Sequence, residues 1–286
     1  MSWQAIAKKD FQDSVRSKVL WGIIVLFTLL IGGVAYLVVD SGLGEADRRV
    51  AEALVTGVFG LIVLFFIPIT GLFISIKSVV RERDSGTINL LLSLPHTRGE
   101  MIFGKFLGRA AVMTATIIVG FVPALGLLLV RTELSPGVLF AFLVVTILFG
   151  LMFVGIGVGF SALFNSETQG TVGGIVIFFG LYLWQTITNL VLGLVDVSLP
   201  EFAQRFGLLQ MFQDMFGALS PTGRGFGAPS SITAMPAPNP EQAQTLFIYP
   251  DSVAFYMQNW FVFIILVAWI AIPLAIGYAR FNRIDL

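Results

Sequence analysis

The chain has 286 residues, of which 56% are hydrophobic and only 12% are Asp, Glu, Lys or Arg. A soluble domain carries about twice that charged fraction, so this composition, with a mean hydropathy of +0.90, excludes a water-soluble globular protein. The absence of cysteine excludes disulfides and thiolate metal sites. We therefore expect an integral membrane protein, with no nucleic acid among its partners.

In chain order, residues 1–18 predict an amphipathic helix at the membrane interface. Trp3, Ala7, Phe11 and Val15 recur every four residues, and polar or charged side chains lie between them. Such a helix buries its apolar face among the lipid headgroups before the chain turns into the membrane. The alternative is a polar start to the first membrane-spanning helix. The charged start and the long apolar run after it argue against a cleavable signal peptide.

Six charge-free stretches of at least 21 residues follow. A helix needs roughly 20 residues to cross about 30 Å of hydrocarbon, so each stretch is long enough to span. The sequence therefore predicts an all-α fold with a six-helix transmembrane domain at 19–286. The predicted spans lie at about 19–39, 53–76, 110–130, 138–163, 170–195 and 258–279.

The positions of Lys and Arg predict the orientation. With the N-terminus in the cytoplasm, 12 of the 17 basic residues fall in cytoplasmic segments, as the positive-inside rule requires. Both termini are then cytoplasmic, and 196–251 is extracytoplasmic. Within it, apolar residues at helical spacing predict one amphipathic helix over 199–219, and a Pro/Gly/Ser-rich loop follows. The predicted polar side of that helix holds Arg205, Gln210, Gln213 and Asp214.

The cytoplasmic segment 77–109 contains the sequence RERDSGTINLLLSLPHTRGEMIFGKF at 81–106. Gly99–Lys105 has the spacing of a phosphate-binding loop. However, Phe106 replaces the Ser or Thr that would hold magnesium, and no buried strand precedes the motif. We therefore expect neither nucleotide hydrolysis nor any other catalytic residue in this chain.

The residues just before that motif predict a short helix. Asp84 or Ser85 can cap a helix that Pro95 ends. Its apolar side needs a partner to cover it, which favours a docking site for a cytoplasmic subunit. The alternative is a loop whose cations only fix the topology.

This segment resembles the type-2 ABC transporter permeases, in particular their NosY-like subgroup. The resemblance rests on Glu82–Thr87, Leu90–Pro95, Arg98 and Gly104-Lys105, and it covers about residues 1–130. It implies a prokaryotic protein with a type V ABC exporter-like fold, working as two permease copies with two copies of a cytoplasmic ABC ATPase subunit. It also implies a coupling helix that docks on the ATPase. The implied contact residues are Glu82, Asp84, Ser85, Gly86, Thr87, Leu90, Leu91, Leu92 and Pro95.

The spans themselves contain no Asp, Glu, Lys, Arg or His. Proton- and sodium-coupled carriers usually need such residues at mid-membrane, so an external energy source is expected. Gln185, Thr186 and Asn189 of the fifth span are candidates for a translocation path, with interhelical hydrogen bonding as the alternative. Met211 and Met215 are better explained by packing than by a soft metal. We expect no cofactor and no metal site.

The sequence therefore predicts a cell-membrane ABC permease subunit that exports a substrate and is energised by a separate ATPase. Its uncharged spans favour a lipidic or amphipathic substrate, and membrane lipid is an expected partner. The alternative is a mechanotransmission subunit, which passes ATP-driven motion to an extracytoplasmic partner at 196–251 without moving solute. A membrane enzyme is disfavoured, because the sequence clusters no His, Asp, Glu or Cys in the spans.

Overall fold

The computed structural model describes residues 3–42, 48–84, 97–194, 201–221, 235–236, 247–248 and 254–283. Helices make up most of these ranges. They are α1 (Trp3–Val15), α2 (Lys18–Asp40), α3 (Arg48–Ser75), α4 (Val80–Asp84), α5 (Arg98–Arg131), α6 (Pro136–Leu163), α7 (Glu167–Tyr182), α8 (Trp184–Gly193), α9 (Glu201–Gln204), α10 (Leu208–Leu219) and α11 (Phe261–Asn282). Strands β1 (Met235–Pro236) and β2 (Phe247–Ile248) pair antiparallel.

Among the described residues, α2, α3, α5, α6 and α11 are long and apolar enough to cross a membrane. A sixth span exists if α7 and α8 count together as one bent span. The predicted fifth span at 170–195 is therefore not one continuous helix. Leu183 leaves the helical region with φ −89° and ψ 1°, in the bridge region of backbone space, so the helix stops and starts again at this residue.

The chain divides into two compact units. The first comprises Met1–Phe178 with Val267–Leu286, and the second comprises Phe179–Leu266. In the first unit α2 packs on α5, α3 packs on α6, α5 packs on α6, and α1 lies against α5. The core of this unit is thus a bundle of four spans.

Phenylalanines join the four helices of that bundle. Phe27 of α2 stacks on Phe66 of α3 with ring centroids 4.7 Å apart, and Phe121 of α5 meets Phe27 edge-on at 5.4 Å. Phe142 of α6 lies 5.9 Å from both Phe121 and Phe59. Aromatic pairs at these separations are favourable. Lipid tails are as apolar as these rings, so close packing rather than burial from water holds the helices together.

In the second unit, the predicted amphipathic helix over 199–219 is wrong in two respects. The chain forms α9 and α10 with a turn between them, and the predicted polar side is largely buried. Arg205 and Asp214 are both fully buried, and the Arg205 Nε donates to the Asp214 Oδ2 at 2.9 Å. The turn lets Arg205 reach both this carboxylate and the Tyr256 carbonyl, so the two charges neutralise each other inside the unit.

The environment of Arg205 shifts its proton affinity in two opposing directions. Burial lowers the pKa of its guanidinium, whereas the charge and hydrogen bond of Asp214 raise it. Gln210 donates to the other carboxylate oxygen of Asp214 at 2.7 Å. This cluster is the polar core of the described part of 196–251. The predicted loop after Leu219 contains β1, and apart from Ser220, Pro221 and that strand it lies outside the described residues.

Replacing Gly120 of α5 with alanine is expected to destabilise the bundle, because the added methyl group would collide with the Phe27 ring. Overpacking of this kind typically costs about 1–3 kcal/mol. Gly126→Ala is the matched control, since nothing lies near the methyl group that it would add to the same helix. Thermal unfolding in detergent should show a lower midpoint for Gly120→Ala alone. Equal midpoints for the two variants would contradict the described packing of α2 on α5.

Candidate coupling site

The predicted coupling residues fall on both sides of a gap in the described chain. Glu82 lies in α4, and Asp84 is the last residue of that helix, so α4 ends where the sequence predicts the start of another helix. The other predicted contacts lie between α4 and Thr97, outside the described residues: Ser85, Gly86, Thr87, Leu90, Leu91, Leu92 and Pro95. The described site therefore consists of the two flanks of segment 85–96.

The second flank is the start of α5, which the sequence determines through a capping box. The Thr97 hydroxyl accepts a hydrogen bond from the Glu100 backbone N–H at 3.2 Å, and the Glu100 carboxylate accepts one from the Thr97 N–H at 3.0 Å. These bonds satisfy backbone donors that a helix start leaves open. Residues 98–109 are consequently helical and continuous with the third span. With its 34 residues, α5 is about 51 Å long and exceeds the hydrocarbon thickness of about 30 Å.

Two glycines allow α1 to lie directly on this part of α5. A Cβ atom added at Gly104 would lie 2.8 Å from the Trp3 carbonyl oxygen, and one at Gly108 would lie 2.9 Å from the Ala7 carbonyl oxygen. Any larger residue would push the α1 backbone away. The spacing of four residues places both glycines on one face of α5, so they form a shallow track for α1.

A buried ion cluster occupies the same contact, formed by Asp10 of α1, Glu82 of α4, and Lys105 and Arg109 of α5. The Lys105 Nζ lies 2.7 Å from the Glu82 Oε1 and 3.9 Å from the Asp10 Oδ1. Arg109 binds both oxygens of Asp10, with its Nε 2.8 Å from Oδ2 and its Nη2 3.0 Å from Oδ1. The side chains of Lys105 and Asp10 are only 3% and 8% exposed.

Because the ion cluster is buried, each of its charges depends on the others for stabilisation. Removing a charge from water costs several kcal/mol unless it is paired and hydrogen-bonded. Two carboxylates here face two cations, so formal charge balances within the cluster. Because Lys105 contacts carboxylates from two other helices, displacing either helix would leave a buried ammonium group with one partner fewer. The ion cluster therefore couples the positions of α1, α4 and α5.

Two further contacts fix the flanks of segment 85–96. On the first flank, the backbone N–H groups of Val79 and Val80 both donate to the Ser161 hydroxyl of α6, at 3.0 and 3.1 Å. On the second flank, the Arg98 guanidinium donates to the Phe281 carbonyl of α11 and lies 5.4 Å from the centre of the Phe281 ring. Both ends of the segment are thus attached to the membrane bundle.

The predicted path residues lie elsewhere in the chain. Gln185, Thr186 and Asn189 are on α8, in the second unit, and the side chains of Thr186 and Asn189 are exposed. Met211 and Met215 of α10 are fully buried, and within the described residues no group of three or more His, Cys, Asp or Glu could hold a metal ion. Of the predicted coupling residues, only Glu82 has a described side chain.

Sequence reasoning missed Asp10, Lys105 and Arg109 as members of one cluster. A usable signal was present in α5, where Gly104-Lys105 and Gly108-Arg109 repeat a glycine–cation pair at a spacing of four residues. Such a repeat places the two glycines on one face of the helix and the two cations together on the adjacent face. It indicates close approach of another backbone that carries an acidic residue, and Asp10 supplies that residue.

The sequence of the chain matches a known protein family and two named relatives. The sequence profile of the ABC-2 family transporter proteins matches residues 4–286. The chain belongs to this family. It is 26% identical over 286 residues to the probable ABC transporter permease protein NosY of Stutzerimonas stutzeri, and the match covers 97% of each chain. The NosY protein of Pseudomonas aeruginosa is 25% identical over 285 residues, again with 97% of each chain covered.

Family membership confirms the resemblance inferred from the coupling segment. Together with the five or six apolar helices long enough to span, it identifies a multi-pass membrane protein that forms the membrane subunit of an ABC transporter. Permeases of this family are generally not catalytic themselves. They associate with an ATP-binding subunit in a dimeric arrangement.

Replacing Asp10 with asparagine is expected to destabilise the attachment of α1, because it leaves the buried Lys105 and the half-buried Arg109 with less compensating charge. Removing one partner of a buried ion pair costs on the order of 3 kcal/mol. Asp13→Asn is the matched control, since Asp13 lies on the same helix but is exposed. Limited trypsin digestion should cut at Lys8 and Lys9 faster in Asp10→Asn only. Equal cleavage rates in the two variants would mean that the ion cluster does not hold α1.

Proposed function

We propose that this chain is a permease subunit whose energy comes from a separate cytoplasmic ATP-binding subunit docked on residues 82–95. The observation that carries the proposal is the attachment of both flanks of that segment to the bundle. On one side Glu82 pairs with Lys105, and on the other Arg98 binds the end of α11. A force applied between these two points acts directly on membrane-spanning helices.

The ion cluster supports a specific route for that force. ATP-driven closure of the partner moves the apolar helix predicted at 86–94. Glu82 passes the movement to Lys105 of α5, and Asp10 passes it to α1. Helices and ion-paired contacts are stiff compared with loops, so the motion reaches the third span. This mechanism requires both termini to be cytoplasmic, which the distribution of Lys and Arg favours.

Two copies of the permease are part of the proposal. Thr186 and Asn189 of α8 are exposed in the single chain. In a dimer, the same two residues of the second copy would face them. We assign Gln185, Thr186 and Asn189 to the substrate path between the copies. Export of a lipidic or amphipathic substrate fits best, because the spans carry no charged residue that would hold a small ion.

A second candidate function is mechanotransmission to an extracytoplasmic partner. The observation that favours it is the buried Arg205–Asp214 pair, which gives the described residues 201–221 a polar core of their own. A segment with its own core can transmit force to a bound partner. A loop that only connects two spans does not need a core. In this function the same ATP-driven movement would leave the chain through that segment, and no solute would cross.

Changing both Leu91 and Leu92 to aspartate is expected to release the ATP-binding subunit, because docking would bury two carboxylates that have no partners. Gln12→Asp is the control, since it adds negative charge at an exposed position of α1. Purification in mild detergent from the native membrane, followed by mass spectrometry, should recover the ATP-binding subunit with the control and not with the double variant. Normal recovery and ATP turnover with Leu91→Asp/Leu92→Asp would exclude docking at this segment.

Replacing residues 225–245 with a short Gly/Ser linker should separate the two candidate functions. The change removes β1 and leaves the Arg205–Asp214 pair in place. An exporter should keep its ATP-dependent transport and its coupled ATPase activity, because the replaced residues lie outside the spans. A mechanotransmission subunit should keep ATPase activity but lose its extracytoplasmic partner in co-purification. Retention of every bound protein would eliminate 225–245 as a partner site.

A further inference from the structure

A cavity in the first unit has the chemistry of a lipid site. Its volume is about 440 Å³, within the roughly 300–1,000 Å³ typical of ligand sites. Residues of α1, α2, α3, α4, α5 and α7 line it. One part of its wall is apolar and includes Leu20, Ile23 and Phe73. Phe73 is 55% exposed, so this part is continuous with the lipid-facing surface of the bundle.

Another part of the wall is charged. Lys77 and Arg81 line it together with the carboxylates of Asp13 and Glu167. Arg109 also lines it, but Asp10 already balances the charge of that residue. Lys77 and Arg81 approach the same carboxylate, that of Glu167, at 3.6 and 3.7 Å. These distances exceed the 2.7–2.9 Å of tight charge-assisted bonds, so both cations keep donors that a phosphate oxygen can use.

The height of the cavity along the bundle also fits a lipid headgroup. Ser17, at the start of α2, lines it, and its neighbours Arg16 and Lys18 are exposed basic residues. The boundary between charged and apolar side chains thus runs through the cavity, as the boundary between headgroups and acyl chains runs through a leaflet. Basic pockets between membrane helices bind anionic headgroups for this reason.

From this arrangement we infer that the cavity binds an anionic phospholipid. Its phosphate is held by Lys77 and Arg81, and its acyl chains lie along Ile23 and Phe73. The apolar wall decides between a lipid and a free phosphate, because a small hydrophilic anion would leave that wall facing water. The inference goes beyond the proposed ATPase coupling and does not depend on it. The proposed orientation would place this cavity in the cytoplasmic leaflet.

The cavity shares residues with the coupling site, so a lipid bound in the cavity would contact that site. Arg109 lines the cavity and also binds Asp10 of the ion cluster, and Ser14, another lining residue, donates to the Asp10 carbonyl at 2.7 Å. A lipid in the cavity therefore stabilises the position of α1 on α5. The lipid composition of the membrane would then affect the stability of the ion cluster next to segment 85–96.

Native mass spectrometry of the purified full chain, offered phosphatidylglycerol and phosphatidylcholine in equal amounts, tests the inference. The wild-type chain should retain phosphatidylglycerol preferentially. Lys77→Gln/Arg81→Gln should reduce that preference on the order of tenfold, because each cation near an anionic surface strengthens binding several-fold. Lys8→Gln/Lys9→Gln is the control, since it removes the same charge from exposed positions of α1 outside the cavity.

A second pair of variants tests the apolar wall without changing charge. Ile23→Trp fills the cavity and should also abolish the preference, whereas Ile118→Trp adds the same bulk at an exposed position of α5 that does not line the cavity. Loss of Lys77 and Arg81 removes only exposed ion pairs, which contribute little to stability, so the charge variants should remain folded. A normal elution volume in size-exclusion chromatography checks this.

Two results would overturn the inference. Equal retention of both lipids by the wild-type chain would mean that the cavity has no headgroup selectivity. Displacement of phosphatidylglycerol by an equal concentration of glycerol 3-phosphate would show that the site recognises the phosphate alone. Neither result bears on docking of the ATP-binding subunit, which the co-purification experiment tests separately.

Discussion

The buried ammonium group of Lys105 is the constraint on which the coupling site depends. It lies between carboxylates from two other helices, 2.7 Å from Glu82 and 3.9 Å from Asp10, and water reaches almost none of it. A buried cation is tolerated only while its partners stay in place. The positions of α1 and α4 on α5 are therefore not independent, and neither is the direction in which the chain leaves α4 toward residues 85–96.

Shape complementarity and charge have separate roles in this bundle. Within the spans, phenylalanines and glycines set the distances between helices. Gly71, for example, approaches Phe153 so closely that an added Cβ would lie 2.8 Å from the Phe153 Cβ. Ion pairs are concentrated instead at the end where α4 stops and α5 begins. A closely packed bundle has low compressibility and transmits strain. The charged end of the helices is then a point at which a partner can apply force.

Sequence reasoning predicted the class of protein and most of the spans, because length and apolar content alone decide whether a helix can cross a membrane. It did not predict the break at Leu183, although Gly180 lies three residues before it in the apolar run. It also placed Arg205 on a solvated face. Helical spacing shows which residues share one side of a helix, but it does not show that Arg205 pairs with Asp214 beyond a turn. Asp10 was missed for a related reason, since its partner Arg109 is 99 residues away. The apolar pattern after Glu82 predicted a docking site for a cytoplasmic subunit, and the family resemblance added that this subunit is an ATPase.

Site-specific crosslinking tests the central claim, docking of an ATP-binding subunit between Glu82 and Thr97, most directly. The chain contains no cysteine, so a single cysteine in place of Leu92 can carry a photoactivatable crosslinker without further changes, in membranes of the native host. Val130, 80% exposed at the far end of α5, provides the control position. The account predicts a crosslinked ATP-binding subunit from position 92 and none from position 130. A crosslink from position 130, or none from position 92 while the ATP-binding subunit still co-purifies, would contradict it.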